Sequence, residues 1–86
     1  MLRLRDSGIS WREIDGEIVA LDAASSRYIS INGSGTALWQ RLQKSGASRD
    51  ELAEILVERY GIGGEQAGAD VDAFVKQLTE VGWLAS

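Results

Sequence analysis

Histidine and cysteine are both absent from this 86-residue chain. Without them the usual nucleophile–base pairs cannot form, and most transition-metal sites lose their ligands. The missing cysteine also removes disulfides and thiolate chemistry, so the redox compartment is not readable from it. No apolar run approaches the roughly 20 residues that a membrane span needs. The N-terminal stretch Met-Leu-Arg-Leu-Arg-Asp lacks the apolar centre of a signal peptide. Together these absences predict a cytoplasmic protein with no membrane partner, no metal and no cofactor. Basic residues are the minority as well: 9 Lys and Arg stand against 13 Asp and Glu, a net charge of -4, which argues against nucleic acid as the main partner.

What is present is enough apolar residue for a fold. The hydrophobic fraction of 44% is that of a globular chain. Its length predicts one small domain over residues 1–86, burying only about 60% of its unfolded surface or slightly more. The pattern is organised around Arg27 to Trp39. Tyr28, Ile29 and Ile31 alternate with polar residues, as in a strand. Asn32-Gly33-Ser34-Gly35 breaks the alternation with turn residues. Beyond it, Leu38, Trp39 and Leu42 fall at helical spacing. One short run therefore ends a sheet and begins a helical layer.

Around this stretch the remaining elements follow in order. Residues 1–8 read as a loose lead-in or a frayed first strand. Strands are predicted at about 9–14, 17–22 and 27–32. Asp15-Gly16 suits a two-residue type I′ turn, which would set Trp11 opposite Ala20 and Arg12 opposite Val19. Helices are predicted at about 34–44, 48–60 and 65–81. The first is capped by Asn32 or Ser34 and ended by Gly46. The second opens on the capping box Ser48-Arg49-Asp50-Glu51, buries Leu52, Ile55, Leu56 and Tyr60, and ends at Gly61. In the third, Val71, Phe74, Val75, Leu78 and Val81 share the apolar side, and Gly82 ends it. Trp83-Leu84 then folds back on the core. The order is α+β: a three-stranded antiparallel sheet followed by a three-helix bundle.

No catalytic group stands out. Glu51, Glu54 and Glu58 read as the solvated face of the second helix. Asp70 and Asp72 suit the positive end of the third helix dipole. Gly33-Ser34-Gly35 precedes a helix, but no Lys follows in P-loop position and no Gly-x-Gly-x-x-Gly is present. Trp39 and Trp83 read as core, and Trp11 as core in preference to a ligand contact. Tyr28 and Ser30 face away from Ile29 and Ile31. Three strands leave at least one open edge, and the third carries no proline or lysine to guard it, so strand addition by a peptide is physically available there.

These features resemble the PqqD-like family of peptide-recognition proteins. The resemblance runs from about Ile9 to Leu84. It rests on Ile18-Val19-Ala20-Leu21-Asp22, on Tyr28-Ile29-Ser30-Ile31-Asn32, and on Ala37-Leu38-Trp39. Leu52, Ile55 and Leu56 add to it, as do Asp70-Val71, Phe74-Val75, Leu78 and Gly82. It implies a winged-helix-like fold and no catalytic activity of the protein's own; a monomer is expected. Its partners would be the leader of a ribosomally made precursor peptide and a maturation enzyme, to which it delivers that leader. A lasso-peptide leader protease is the favoured enzyme, with a radical peptide-modifying enzyme as the alternative. The leader would add as a strand to the third strand, beside the third helix. The binding residues implied are Arg27, Tyr28, Ile29, Ser30, Val71, Asp72, Val75, Lys76 and Thr79. For Ile29, Val71 and Val75 plain core packing is an equal reading, and Asp22 either serves the family site or caps a corner. Three other readings stand beside this one; the first, a small enzyme, finds no catalytic group to build on. A DNA-binding winged helix would need a basic recognition helix, whereas both candidate helices are acidic. A generic interaction or regulatory domain with no leader partner is the third.

Overall fold

The chain reverses at Asp15-Gly16 with φ of 52° and 80°, the positive pair that a type I′ turn requires. The structure, a computed structural model, describes residues 1–5 and 8–85. The turn joins β1 (Ile9–Ile14) to β2 (Glu17–Asp22). The register is the one a two-residue loop dictates: Ile14 lies opposite Glu17, Arg12 opposite Val19 and Trp11 opposite Ala20. β3 (Arg27–Ile31) pairs antiparallel with β2, placing Ile29 opposite Ala20 and Ile31 opposite Ile18. The sheet order is β1-β2-β3, so β1 and β3 are both edges. Three helices follow: α1 (Ser34–Lys44), α2 (Arg49–Tyr60) and α3 (Gly64–Val81). Three antiparallel strands followed by three helices is the arrangement that the residue pattern predicts, with ends displaced by a residue at β3, α2 and α3.

Ile18, Ala20, Ile29 and Ile31 share one face of the sheet and meet the helices there. Leu38, Trp39 and Leu42 come from α1, Leu52 and Leu56 from α2, and Ala67, Val71, Phe74 and Leu78 from α3. Trp83, just past α3, is fully buried and lies 6.3 Å from the Trp39 ring. Trp11 meets Trp39 edge-on at 6.0 Å and stays 40% exposed. Each such ring pair contributes about 0.5–1.5 kcal/mol beyond the area it buries.

Several local expectations held. Ser48 and Glu51 form the reciprocal capping box, and Gly61 and Gly82 end α2 and α3 in the left-handed conformation. Others did not. Neither Asn32 nor Ser34 caps α1. Gly33 occupies that position at φ 58° and makes no side-chain cap. The sharp reversal it permits lets backbone turns serve the helix end, with Gly35 N–H on the Asn32 carbonyl and Thr36 N–H on that of Gly33. α1 ends at extended Ser45 and not at Gly46, because the Arg41 guanidinium donates to both the Ser45 carbonyl and its hydroxyl. Tyr60 is 46% exposed and is not part of the buried stripe. It stands at the end of α2, and its hydroxyl lies 3.4 Å from the Gly33 carbonyl.

The first residues are not frayed. Leu2 exchanges two backbone hydrogen bonds of 2.8 Å with Ala47, and Leu4 bridges Leu84. Asp6 and Ser7, part of the predicted lead-in, lie outside the described residues. Arg5 pairs with Asp22, which is 2% exposed and also accepts from the Ala24 N–H. That ion pair fastens the N-terminal segment to the end of β2. The Arg5 guanidinium holds the Asp22 carboxyl below its ordinary range.

Two consequences for stability are measurable. A Cβ on Gly35 would stand 2.7 Å from the Ile31 Cγ2 methyl and 3.7 Å from the Phe74 ring. Overpacking of about 1–3 kcal/mol should outweigh the roughly 1 kcal/mol that alanine gains over glycine in a helix. Gly35→Ala should therefore melt lower, and an unchanged or higher Tm would count against this packing. For Asp22 the folded pKa is depressed, so its contribution is present above the unfolded value of about 3.9 and is lost as pH falls through the folded value. Asp22→Asn should be less stable than the parent at pH 6, with the gap narrowing toward pH 2. Chemical denaturation across that range measures it.

Candidate functional site

The hairpin turn settles which backbone groups each edge offers. In a two-residue loop the flanking pair, Ile14 and Glu17, exchanges both hydrogen bonds, and bonded pairs then alternate along the ladder. Glu17, Val19 and Leu21 accordingly bond toward β1, and Ile18, Ala20 and Asp22 toward β3. Their partners are Ile31, Ile29 and Arg27. The N–H and C=O groups of Tyr28 and Ser30 are therefore the ones that point off the open edge of β3. Ile29 and Arg27 spend theirs inside the sheet.

β3 runs beside α3. At one end the Arg27 guanidinium reaches the Glu80 backbone carbonyl at 3.5 Å. At the other, a cavity of about 220 Å³ opens between the two elements. Ile31, Gly35, Ala73 and Phe74 give it apolar walls, and Asn32, Ser34, Asp70 and Gln77 a polar rim. Open backbone edge and cavity together form one groove. The second edge, β1, adjoins a smaller notch of about 180 Å³ beside Trp11, Trp39 and Leu42, with Arg5 in its lining. One end of that edge is tied to α1 by the Gln40 amide on Glu13 at 2.8 Å.

Of the residues that the resemblance implies, Arg27, Tyr28 and Ser30 line the open edge. Ile29 is buried in the sheet–helix core. Tyr28 is 69% exposed and faces the outer side of the sheet with Leu21 and Ile14, which are also exposed. The five helix residues are placed differently. Val71 is fully buried. Asp72 is turned toward α2, where Arg49 donates to both its oxygens at 2.6 and 2.9 Å. That arginine holds the Asp72 carboxyl below its ordinary range. Val75 packs against the core, Thr79 donates to the Val75 carbonyl at 2.8 Å, and Lys76 is exposed. At 100° per residue, positions 72, 75 and 79 lie on the flank opposite to 70, 73 and 77. The flank facing β3 is that of Asp70, Ala73, Gln77 and Glu80.

Sequence reading passed over Asn32, Asp70, Ala73 and Gln77. A helix has two flanks beside its core stripe, and spacing alone does not say which one meets the strand. Asp70 also loses its dipole explanation. α3 begins at Gly64 and has Glu65 as the acidic residue of its first turn, whereas the dipole acts only within that turn. Glu54 and Glu58 are exposed on α2. No group of three metal-ligating side chains occurs among the described residues, and no helix is long and apolar enough to cross a membrane.

Comparison with known proteins follows the same outline. The family model described as "Coenzyme PQQ synthesis protein D (PqqD)" matches residues 17–84. No curated protein matches. Among solved structures, "Lasso peptide synthetase B1 complexed with the leader peptide" is 32% identical, with a TM-score of 0.80 over 99% of this chain and 98% of that one. "TbiB1 in Complex with the TbiA(beta) Leader Peptide" is 20% identical, with a TM-score of 0.84 over 98% of this chain and 95% of that one, and shares the fold. With all three strands and three helices in place and most of its length matched, this chain belongs to the PqqD family.

Proposed function

We propose that this protein binds the leader segment of a ribosomally synthesised precursor peptide and delivers it to a maturation enzyme. The carrying observation is the open β3 edge lying beside the α3 cavity. A peptide strand added there meets the N–H and C=O groups of Tyr28 and Ser30, each bond contributing about 0.5–1.5 kcal/mol net. Its alternate side chains then rest on α3. The groove residues are Arg27, Tyr28 and Ser30 on the strand, with Asp70, Ala73, Phe74 and Gln77 on the helix. Of the helix set first expected, Lys76 is exposed and lies outside the cavity lining. Val71, Val75, Asp72 and Thr79 serve the core and the α2 flank. The 32% identical lasso peptide synthetase B1, itself a leader-peptide complex, favours a lasso-type leader protease as the enzyme over a radical peptide-modifying enzyme. With no histidine or cysteine, the protein performs no chemistry on the precursor and works in the cytoplasm where the precursor is made.

Two proline substitutions separate binding from folding. Ser30→Pro removes an N–H that points outward, so the protein should stay folded and lose leader binding. Ile29→Pro removes one that bonds β2, so it should lower the melting temperature instead. Fluorescence anisotropy with labelled leader, alongside thermal melts, reads both. A folded Ser30→Pro protein that binds like the parent would rule out the β3 edge.

Division of labour is testable separately. Incubated with precursor alone, the protein should leave its mass unchanged. The maturation enzyme that acts on the same precursor should process it only slowly until this protein is added. Full-speed processing without it would end the delivery role.

A further inference from the structure

We propose that the cavity at the Gly35 end of the groove is a subsite for one basic side chain of the bound peptide, a lysine or arginine, selected by Asp70. This rests on the reading that the groove holds a peptide, and adds to it the chemical class of one peptide position.

The cavity has the two parts that a long basic side chain needs. Ile31, Ala73 and Phe74 offer apolar wall for a methylene stem, and Asp70, Asn32 and Gln77 offer oxygen at the rim. Lysine and arginine lay their stems along apolar surface while their heads seek polar groups. No lysine or arginine is among the residues that line the cavity, so no cation within it competes for the carboxylate.

Asp70 differs from the carboxylates that an arginine holds. Asp22 faces Arg5, Glu51 lies near Arg41, and Asp72 is held by Arg49. Asp70 has no cation partner among the described residues. Its Oδ1 accepts from the Gln66 amide at 2.8 Å, and Oδ2 has no partner among the described residues. The side chain is half-buried, two turns into α3, beyond the reach of the helix dipole. A half-buried carboxylate on an apolar-walled cavity, with one oxygen unused, is complementary to an incoming cation. The parity agrees as well. Residues of an added strand that face α3 alternate with those that face the outer sheet side, so a single register position of the peptide would carry the basic residue.

Selection from a displayed library of random dodecapeptides tests this, using the parent, Asp70→Asn and Asp70→Lys proteins, each checked for folding by its melt. Clones that also bind Ser30→Pro are discarded, which leaves those that need the β3 edge. The parent should enrich lysine or arginine at one position relative to the apolar anchors. Asp70→Lys should enrich aspartate or glutamate at that same position. Synthetic peptides from the parent selection should bind Asp70→Asn about three- to tenfold more weakly, with the difference shrinking at high salt. Asparagine is isosteric and leaves the Gln66 contact possible, so its effect reads charge and not packing. Edge-dependent peptides with only apolar or neutral polar residues at that position would overturn the subsite while leaving the groove intact. So would an unchanged preference in Asp70→Lys. Failure to enrich any edge-dependent peptide would overturn the groove reading, and the subsite with it.

Discussion

The two positive-φ residues at Asp15-Gly16 constrain more of this protein than their size suggests. A type I′ turn fixes not only which residues face each other but which of them exchange hydrogen bonds. That choice passes across β2 to β3, because each strand residue directs both its backbone groups to one side. The outward groups of β3 are therefore decided at a turn that lies two strands away. A one-residue slip would move Tyr28 and Ser30 from the edge to the ladder, and would turn Ile29 and Ile31 out of the core at the same time. Core burial and edge chemistry are thus locked to one register.

The small core has to hold that register against the pull of an unpaired edge. It does so with contacts of long sequence separation. Trp39 on α1 touches Trp11 from the sheet and Trp83 from the C-terminal segment. Leu2 and Leu4 stitch the N-terminal segment to Ala47 and Leu84, and Arg5 closes on Asp22 at the end of β2. A chain of this size has little surplus stability, so fastening both termini to the centre is physically consequential. It also leaves β3 free, since the terminal segments pair elsewhere.

How much of this was legible beforehand follows the range of each signal. The hairpin register, the capping box at Ser48 and the glycine stops at Gly61 and Gly82 are local, and each was readable from a few adjacent residues. The alternation that buries Ile29 and Ile31 and exposes Tyr28 was readable for the same reason. The pairing of Leu2 with Ala47 and of Arg5 with Asp22 joins distant segments and leaves no periodic trace. The α1 cap misled because Asn32 and Ser34 are good capping residues, yet Gly33 adopts a backbone conformation that makes a backbone turn sufficient. The α3 flank was not legible at all. Asp72, Val75 and Thr79 sit beside the core stripe as neatly as Asp70, Ala73 and Gln77 do. Only the packing of α3 against both α2 and β3, with Arg49 claiming Asp72, separates the two flanks.

That separation has a consequence for how recognition can change while the fold does not. On the proposed function, backbone groups on β3 would bond any extended peptide, so discrimination would fall to side chains on one flank of α3. Asp70, Ala73 and Gln77 lie on that flank, and the core positions Val71 and Leu78 are offset from them around the helix. The flank can therefore be substituted without opening a hole among Ile18, Leu38 and Trp39. Phe74, Ile31 and Gly35 are different. They line the cavity and also belong to, or press on, the packed core. Changes there alter groove shape and stability together, because the same ring and methyl face both. Asp70 is only half-buried and its side chain bonds Gln66, so it is the groove position where charge can be reversed at least cost to packing.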